Sequence, residues 1–268
     1  MMNIKKLIFS GIIGLFVVTS CQKVINIDLK DSTPQYVIDG QVNKGDSVHI
    51  ISITKSSLFS ANNTFPTVSG AIVSITDNLG NNEVLTEFEP GKYKTAHLVA
   101  YEERTYTLNV QVDGKTFTSS STMPNQVNLD YILFIPDSFN EGAYTPIPIR
   151  QDPAGIQNNY LFDLYLKRSG ETAWIRDSAL MVGDDVFSDG VTTQQPLFGQ
   201  LGKFMPNDSL MITLKCLDRS VYKYFFSLSL NGPNGSATPA NPVSNISGGA
   251  LGYFSAQTKQ TIKVEVQP

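Results

Sequence analysis

Histidine, cysteine and tryptophan are scarce in this chain of 268 residues, which has two histidines, two cysteines and one tryptophan. His49 and His97 fall in different predicted strands or turns and lack the clustered spacing of metal ligands, such as HExxH. We therefore expect no zinc or haem site, and we predict that each histidine is a surface or half-buried residue of a sheet. The chain also lacks a Gly-x-Ser-x-Gly motif and a phosphate-binding loop, so we expect no cofactor and no enzymatic activity.

Positive charge is in short supply as well, because 20 lysines and arginines stand against 24 acidic residues and the net charge is −4. Lys5 and Lys6 lie in the amino-terminal segment at residues 1–20, so the chain after this segment is more acidic still. No basic run is left that would neutralise a phosphate backbone. We therefore predict that nucleic acids are not partners of this protein.

Long apolar runs are absent apart from one near the amino terminus. Residues 7–18 follow Lys5 and Lys6, and the run is shorter than the roughly 20 residues that a membrane-spanning helix requires. A short basic start, an apolar run of this length and small residues after it are typical of a secretory signal. We predict that residues 1–20 form such a signal peptide.

The end of this segment, Val18-Thr19-Ser20-Cys21, resembles the bacterial lipobox, which has a branched apolar residue, two small residues and a cysteine. In signals of that class the thiol is joined to diacylglycerol, the peptide is cut before the cysteine, and the new amine is acylated. The resemblance implies lipidation of Cys21 and lasting attachment to a membrane, since each buried methylene contributes about 0.8 kcal/mol. The alternative is an ordinary cleaved signal followed by a cysteine without lipid.

The second cysteine, Cys216, has no disulfide partner if Cys21 carries lipid. It belongs to the predicted strand at residues 210–217, on the face that it shares with Leu210, Ile212 and Leu214. We therefore predict that Cys216 is a small buried apolar residue and not a reactive thiol.

Residues 21–34 are predicted to be a tether, and the residues after them have the composition of strands and tight turns. The clearest strand is at 105–112, where apolar residues alternate from Tyr106 to Val112. Asp113-Gly114 then favours a two-residue hairpin turn. About seven short strands in residues 35–123 predict an immunoglobulin-like or related β-sandwich domain.

Residues 128–268 are predicted to form a second β-rich domain. We expect strands at residues 129–135, 160–167, 174–182, 210–217, 251–256 and 262–266, with surface loops at 136–159 and 183–202. One helix is predicted at about 218–230, where apolar residues recur at helical spacing after Asp218, which can cap the first turn. The helix is expected to pack on a sheet, and binding of a partner is the alternative.

The order and spacing of several segments resemble the domain-of-unknown-function 4249 family of Bacteroidota lipoproteins. The segments that carry the resemblance are residues 24–28, 36–40, 70–77, 90–93, 104–122, 222–226 and 245–255. They cover nearly the whole chain after Cys21. The first domain, with a strand before Gly91-Lys92-Tyr93, also resembles carboxypeptidase regulatory-like modules.

The family resemblance implies an outer-membrane lipoprotein, usually encoded beside a TonB-dependent transporter, with no assigned catalytic residues. Gln22 and Lys23 stand where surface-exported lipoproteins of the phylum often have acidic residues, so both the periplasmic face and the cell surface remain open. The resemblance also implies possible O-glycosylation of Ser32, because Asp31-Ser32-Thr33 matches the acceptor pattern of the phylum.

Two further patterns have a chemical and a structural interpretation. Asp184, Asp185 and Asp189 supply oxygen atoms that could bind calcium, although their spacing differs from the twelve-residue calcium loop, and a solvated acidic loop is the alternative. Adjacent side chains on a strand point apart, so Asp184 and Asp185 are not expected to flank one glycosidic bond. Ser52 and Lys55 form Ser-x-x-Lys, but on a predicted strand and without the companion motifs of penicillin-binding enzymes.

These observations favour a non-enzymatic outer-membrane lipoprotein that assists a TonB-dependent transporter, either by docking to it or by capturing its substrate. The alternative is a free-standing glycan-binding, ligand-binding or adhesion lipoprotein that uses loop aromatic residues around Tyr144, Phe187 or Phe198. An envelope hydrolase with a convergent site is the third class.

Overall fold

Strands dominate this computed structural model, which describes residues 33–57, 65–231 and 240–267. In chain order the strands are β1 (Tyr36–Asn43), β2 (Ile50–Lys55), β3 (Ile72–Asp77), β4 (Asn82–Val84), β5 (Thr86–Glu89), β6 (Lys92–Lys94), β7 (Thr105–Val112), β8 (Lys115–Thr122), β9 (Tyr131–Pro136), β10 (Tyr144–Gln151), β11 (Asn159–Lys167), β12 (Ile175–Arg176), β13 (Met181–Asp184), β14 (Thr192–Gln194), β15 (Ser209–Cys216) and β16 (Leu251–Glu265). Helix α1 (Arg219–Ser229) lies between the last two strands.

The predicted fold class, mostly β with sandwich-like packing and a helix in the second half, is confirmed. The predicted signal peptide, Cys21 and Ser32 lie outside the described residues. Among the residues that are described, no helix is both long and apolar enough to cross a bilayer.

The largest sheet has the strand order β12-β11-β15-β16-β1-β2-β6-β5, and β13 also pairs with β11. Its central strand is β16, whose first half runs parallel to β1 and whose second half runs antiparallel to β15. We predicted two separate strands here, and that prediction is wrong. The polar residues 258–261 continue the strand because each of them pairs with a residue of β15.

A sandwich forms where the four-stranded sheet β4-β3-β7-β8 faces β1, β2 and β6. Alternate residues of β1 and β7 are buried between the two sheets, as the period of two predicts. The hairpin turn at Asp113-Gly114 is confirmed, with φ of 50° and 71°. Phe254 and Ala256 of β16 also enter this first core. The division into residues 35–123 and 128–268 stays a prediction.

Strand β10 lies where we predicted a surface loop at residues 136–159, and that prediction is wrong. The strand pairs with β9 along six residues and with β14 at its end, and its residues 145–150 are all buried. The sheet β14-β10-β9 lies against β11 and β15 around a second core.

Two prolines in β10 explain why the sequence pattern was misleading. Pro146 and Pro148 lack the N–H that a central strand normally donates. The Ile149 carbonyl accepts from the Asp130 N–H beside β9, whereas the Pro146 carbonyl accepts from the Leu197 N–H on the other side. Because bonding direction alternates along a strand, both prolines turn their missing N–H groups away from β9.

Helix α1 covers the other face of the large sheet. Asp218 caps the helix, since its Oδ1 accepts from the Val221 N–H at 2.9 Å, as predicted. Val221 and Phe225 are buried against Leu161 of β11 in a third apolar cluster, so packing on a sheet is confirmed. Cys216, just before the helix, is 1% exposed, and burial raises the pKa of its thiol.

Candidate functional site

Asp184 ends β13 and Asp185 follows it, and their side chains lie on opposite faces of the sheet, as the alternation of strand side chains predicts. The carboxylate of Asp184 points toward α1, where its Oδ2 lies 3.2 Å from Nη1 of Arg219. The carboxylate of Asp185 lies on the opposite face, close to Asp189 and Asp152. Asp184 therefore does not belong to the same site as the other two predicted residues.

Three carboxylates form an acidic cluster, which we define as Asp152, Asp185 and Asp189. One oxygen from each lies within 4.8 Å of the others. Asp152 and Asp185 are 1% and 2% exposed, whereas Asp189 is exposed. Asp152 was not predicted as a site residue because it follows β10, in the stretch at residues 136–159 that we predicted to be a surface loop.

Hydrogen bonds to the acidic cluster tie residues 152–160 to residues 185–190. The Asp185 carboxylate accepts from the Asn158 N–H at 2.7 Å, and the Asp189 carboxylate accepts from the Gly155 N–H at 2.7 Å. Asp152 accepts from the Gly190 N–H at 3.2 Å and from the hydroxyl of Tyr160. Burial and the hydrogen bond to Asp152 raise the pKa of Tyr160. This hydroxyl is therefore a stable donor to the carboxylate.

An open cleft of about 670 Å³ lies beside the acidic cluster. Its wall includes Phe187, which is fully exposed, and Tyr222 of α1, which is largely buried. The remaining lining residues are small, aliphatic or hydrogen-bonding: Val182, Gly183, Asp184, Ser188, Val191, Thr192, Thr193, Gln194, Gln195 and Pro196. The volume is in the range of small-molecule sites, and aromatic rings beside amide and hydroxyl groups suit a neutral polar ligand.

Asp184, an ionisable residue of the cleft lining, forms an ion pair at the edge of the cleft. Asp184 is paired with Arg219, whose guanidinium carbon is 4.8 Å from the centroid of the Tyr222 ring. Burial and the charge of Asp184 raise the pKa of Tyr222. The described lining holds no histidine, cysteine or lysine. The cleft thus offers a concave surface and hydrogen-bonding groups.

The three aromatic residues singled out in the sequence have different environments. Phe187 lines the cleft, and Phe198 is 76% exposed on a different part of the surface loop. Tyr144 belongs to β10 and packs on the second core, where its N–H donates to the Phe204 carbonyl at 2.8 Å. The prediction that Tyr144 is a loop residue is therefore wrong.

The remaining candidate residues from the sequence are Ser52, Lys55, His49 and His97. Ser52 and Lys55 are three residues apart on β2, so they face opposite sides of the sheet. His49 is buried, which corrects our prediction of a surface or half-buried position, and burial lowers its pKa. Its Nδ1 accepts from the Asn43 N–H and its Nε2 lies 3.0 Å from the Leu98 carbonyl. His97 is exposed, as predicted.

Comparison with known proteins gives one family. A family model described as "Domain of unknown function (DUF4249)" matches residues 22–263. No curated protein matches the chain. The matched range starts directly after Cys21 and includes the first core, the second core except Val264 and Val266, the acidic cluster and the cleft.

Proposed function

Since the chain belongs to the DUF4249 family, we propose that it is a non-enzymatic outer-membrane lipoprotein that captures a substrate for a TonB-dependent transporter or docks to that transporter. The signal at residues 1–20 directs export, and lipid on Cys21 holds the folded body at the membrane. The resemblance set out from the sequence supports this role.

The observation that carries the proposal is the open cleft beside the acidic cluster. A protein that delivers a substrate must bind it and release it, so an open site suits that task better than an enclosed cavity. The exposed ring of Phe187 offers stacking area, and Gln194 and Gln195 offer hydrogen bonds.

The geometry of the acidic residues supports a non-enzymatic role. Glycoside hydrolases place two carboxyl groups on either side of the bond that they cleave. Asp152 and Asp185 are close enough to form a pair, but both are almost fully buried, so a sugar ring has no room between them. Asp184, which does line the cleft, is paired with Arg219.

Co-purification tests the proposed partnership. The full chain carries a carboxyl-terminal tag, is expressed in its native host and is isolated in mild detergent, and a Cys21→Ala variant serves as the control. We expect a TonB-dependent transporter to be recovered with the wild-type chain and in much smaller amount with Cys21→Ala. Recovery of no such transporter under conditions that preserve outer-membrane complexes would contradict docking.

A second candidate function is glycan or ligand binding without a transporter, and the full exposure of Phe187 beside the cleft favours it. Binding of the full chain to a glycan array in detergent tests this function. Phe187→Ala should abolish binding, whereas Phe198→Ala, at an exposed ring outside the cleft, should leave it intact. Equal loss in both variants would show that the cleft is not the binding site.

A further inference from the structure

The acidic cluster has no direct ion-pair partner among the described lysines and arginines. In the described parts of the chain, Asp152, Asp185 and Asp189 take part in no ion pair with lysine or arginine. Arg150 is buried nearby, but its guanidinium stacks on the ring of Tyr160, 4.4 Å from the ring centroid. Two almost fully buried carboxylates beside a third one are costly to keep without a compensating charge.

The spacing of these carboxylates matches the coordination shell of one ion. Calcium binds oxygen at about 2.3–2.6 Å, so two oxygens on the same ion are at most about 4.6–5.2 Å apart. The three carboxylate oxygens lie within 4.8 Å of one another. The three carboxylates are therefore close enough to share one cation.

Asn158 supplies an independent observation. It is 4% exposed, and its side-chain oxygen Oδ1 is buried without a hydrogen-bond partner. A buried carbonyl oxygen left unpaired is costly, so its presence points to a ligand that the oxygen can bind.

The strand register places the Asn158 side chain on the same face as the acidic cluster. Asn159 is paired with Asp184 across β11 and β13, and Asp185 N–H donates to the Asn158 carbonyl, so Asn158 stands opposite Asp185. Side chains of directly opposed residues lie on the same face. Asn158 also shares a face with Tyr160, two residues on, whose hydroxyl donates to Asp152.

We propose that Asp152, Asp185 and Asp189, together with Oδ1 of Asn158, bind a calcium ion. All four donors are oxygens, three of them anionic, which suits a hard cation and disfavours zinc, whose usual ligands include nitrogen or sulfur. Four protein oxygens on two loops leave room for waters in the flexible shell of six to eight ligands that calcium accepts. Magnesium requires a more nearly octahedral shell and gives up its waters reluctantly.

A path for the ion exists on the exposed side of the acidic cluster. A cavity of about 280 Å³ reaches it and is lined by Gly155, Ile156, Gln157, Asp185, Val186 and Asp189. The ion would bridge residues 152–158 and 185–189, the two segments that the hydrogen bonds already join. Since Phe187 and Ser188 lie in the second segment, calcium fixes one wall of the cleft, a consequence that rests on the proposed function.

Isothermal titration of calcium into the full chain, purified in detergent and treated with a chelator, tests this site. We expect one ion per chain with a dissociation constant of about 10⁻⁵–10⁻³ M, between the weakest sensor sites and the extracellular modules. Magnesium should bind at least about tenfold more weakly. Calcium at about 100 times the dissociation constant should raise the melting temperature by about 5–10 °C.

Matched variants locate the ion. Asp185→Asn and Asp189→Asn should each weaken calcium binding at least about tenfold, because each removes one anionic ligand. Asp184→Asn, the adjacent residue on the opposite face, should change calcium affinity by no more than about twofold, since its partner is Arg219. Asp189 is exposed, so its variant should remain folded even if Asp185→Asn does not.

No calcium binding by the wild-type chain would overturn the proposal. So would an unchanged affinity in Asp189→Asn, an equal loss in Asp184→Asn, or equal affinities for magnesium and calcium. These titrations contain no transporter and no glycan, so their failure is separate from failure of the proposed function. Repeating the glycan-array and co-purification experiments with and without calcium then measures the effect of the ion on the cleft.

Discussion

Replacing Gly252 with alanine should place a methyl group against the backbone of the neighbouring strand. Gly252 lies in β16 and pairs with Ile38 of β1, with φ of +92°. A Cβ at this position would lie 2.1 Å from the Ile38 carbonyl oxygen and 2.8 Å from its carbonyl carbon. Both neighbours are backbone atoms, so the two central strands must separate to admit the methyl group.

Gly249 provides a matched control three residues earlier. Its φ is +84°, and nothing lies within 4 Å of the position of its Cβ. Alanine at Gly249 therefore incurs only the backbone strain of a positive φ, about 1–3 kcal/mol. Alanine at Gly252 incurs the same strain and also disturbs at least two hydrogen bonds of the β1–β16 ladder, each contributing about 1 kcal/mol. We expect Gly252→Ala to be less stable than Gly249→Ala by about 2 kcal/mol or more.

Urea unfolding of both variants, followed by far-ultraviolet circular dichroism, measures this difference. The two variants should have the same dependence of free energy on urea, so the midpoints can be compared directly. The reduction in unfolded-chain entropy is the same for both Gly→Ala changes and cancels. Free energies of unfolding within about 0.5 kcal/mol of each other would refute the close approach of β1 and β16, and with it the sheet order given above.

Two further predictions concern an ion network and the helix. Burial alone would raise the pKa of the Asp163 carboxyl group. The charge of Lys215 and the hydrogen bond from Arg176, whose nitrogens each lie 2.6 Å from a carboxylate oxygen, outweigh burial and hold the pKa below its usual value. The stabilisation is present above the unfolded pKa of about 4 and is lost as pH falls through the folded pKa. The free energy of unfolding should therefore fall less steeply with decreasing pH in Asp163→Asn than in wild type. Equal pH profiles would contradict this. Phe225→Ala should lower the free energy of unfolding by about 3–5 kcal/mol in urea, whereas Phe226→Ala, at a ring that is 45% exposed, should lower it by less than about 1 kcal/mol; similar losses would contradict packing of α1 through Phe225.

Sequence patterns correctly predicted the elements that are specified by residues close together in the chain. Strand β7 and its turn at Asp113-Gly114 follow from alternation and from the preference of this pair for positive φ, and both are confirmed. Helix α1 follows from its cap at Asp218 and its periodic apolar residues. Each of these signals lies within about ten residues of the chain, so no distant contact is needed to interpret it.

The missed elements depend on contacts between distant residues. Strand β10 contains prolines that normally interrupt a sheet, and it is acceptable only because both of them turn away from β9. The polar middle of β16 stays extended because β15 pairs with it. Neither the orientation of the prolines in β10 nor the extension of β16 can be predicted from a short window of sequence.

The candidate site also combines features that nearby residues predict with features that depend on distant contacts. Asp185 and Asp189 were predicted from one acidic loop, but Asp152 and Asn158 come from a segment about 30 residues earlier and meet them only in the folded sheet. Alternation along a strand did predict that Asp184 points away from Asp185. The cleft itself joins the segments 182–196 and Tyr222, and its shape has no counterpart in any sequence motif.

Mass spectrometry of the amino-terminal peptide, prepared from the native host, tests the central claim that this cleft-bearing body is held at the outer membrane by lipid. We predict that the mature chain starts at Cys21 and that this residue carries diacylglycerol on its sulfur and an acyl chain on its amine. A mature chain that starts elsewhere, or a Cys21 of unmodified mass, would contradict the account.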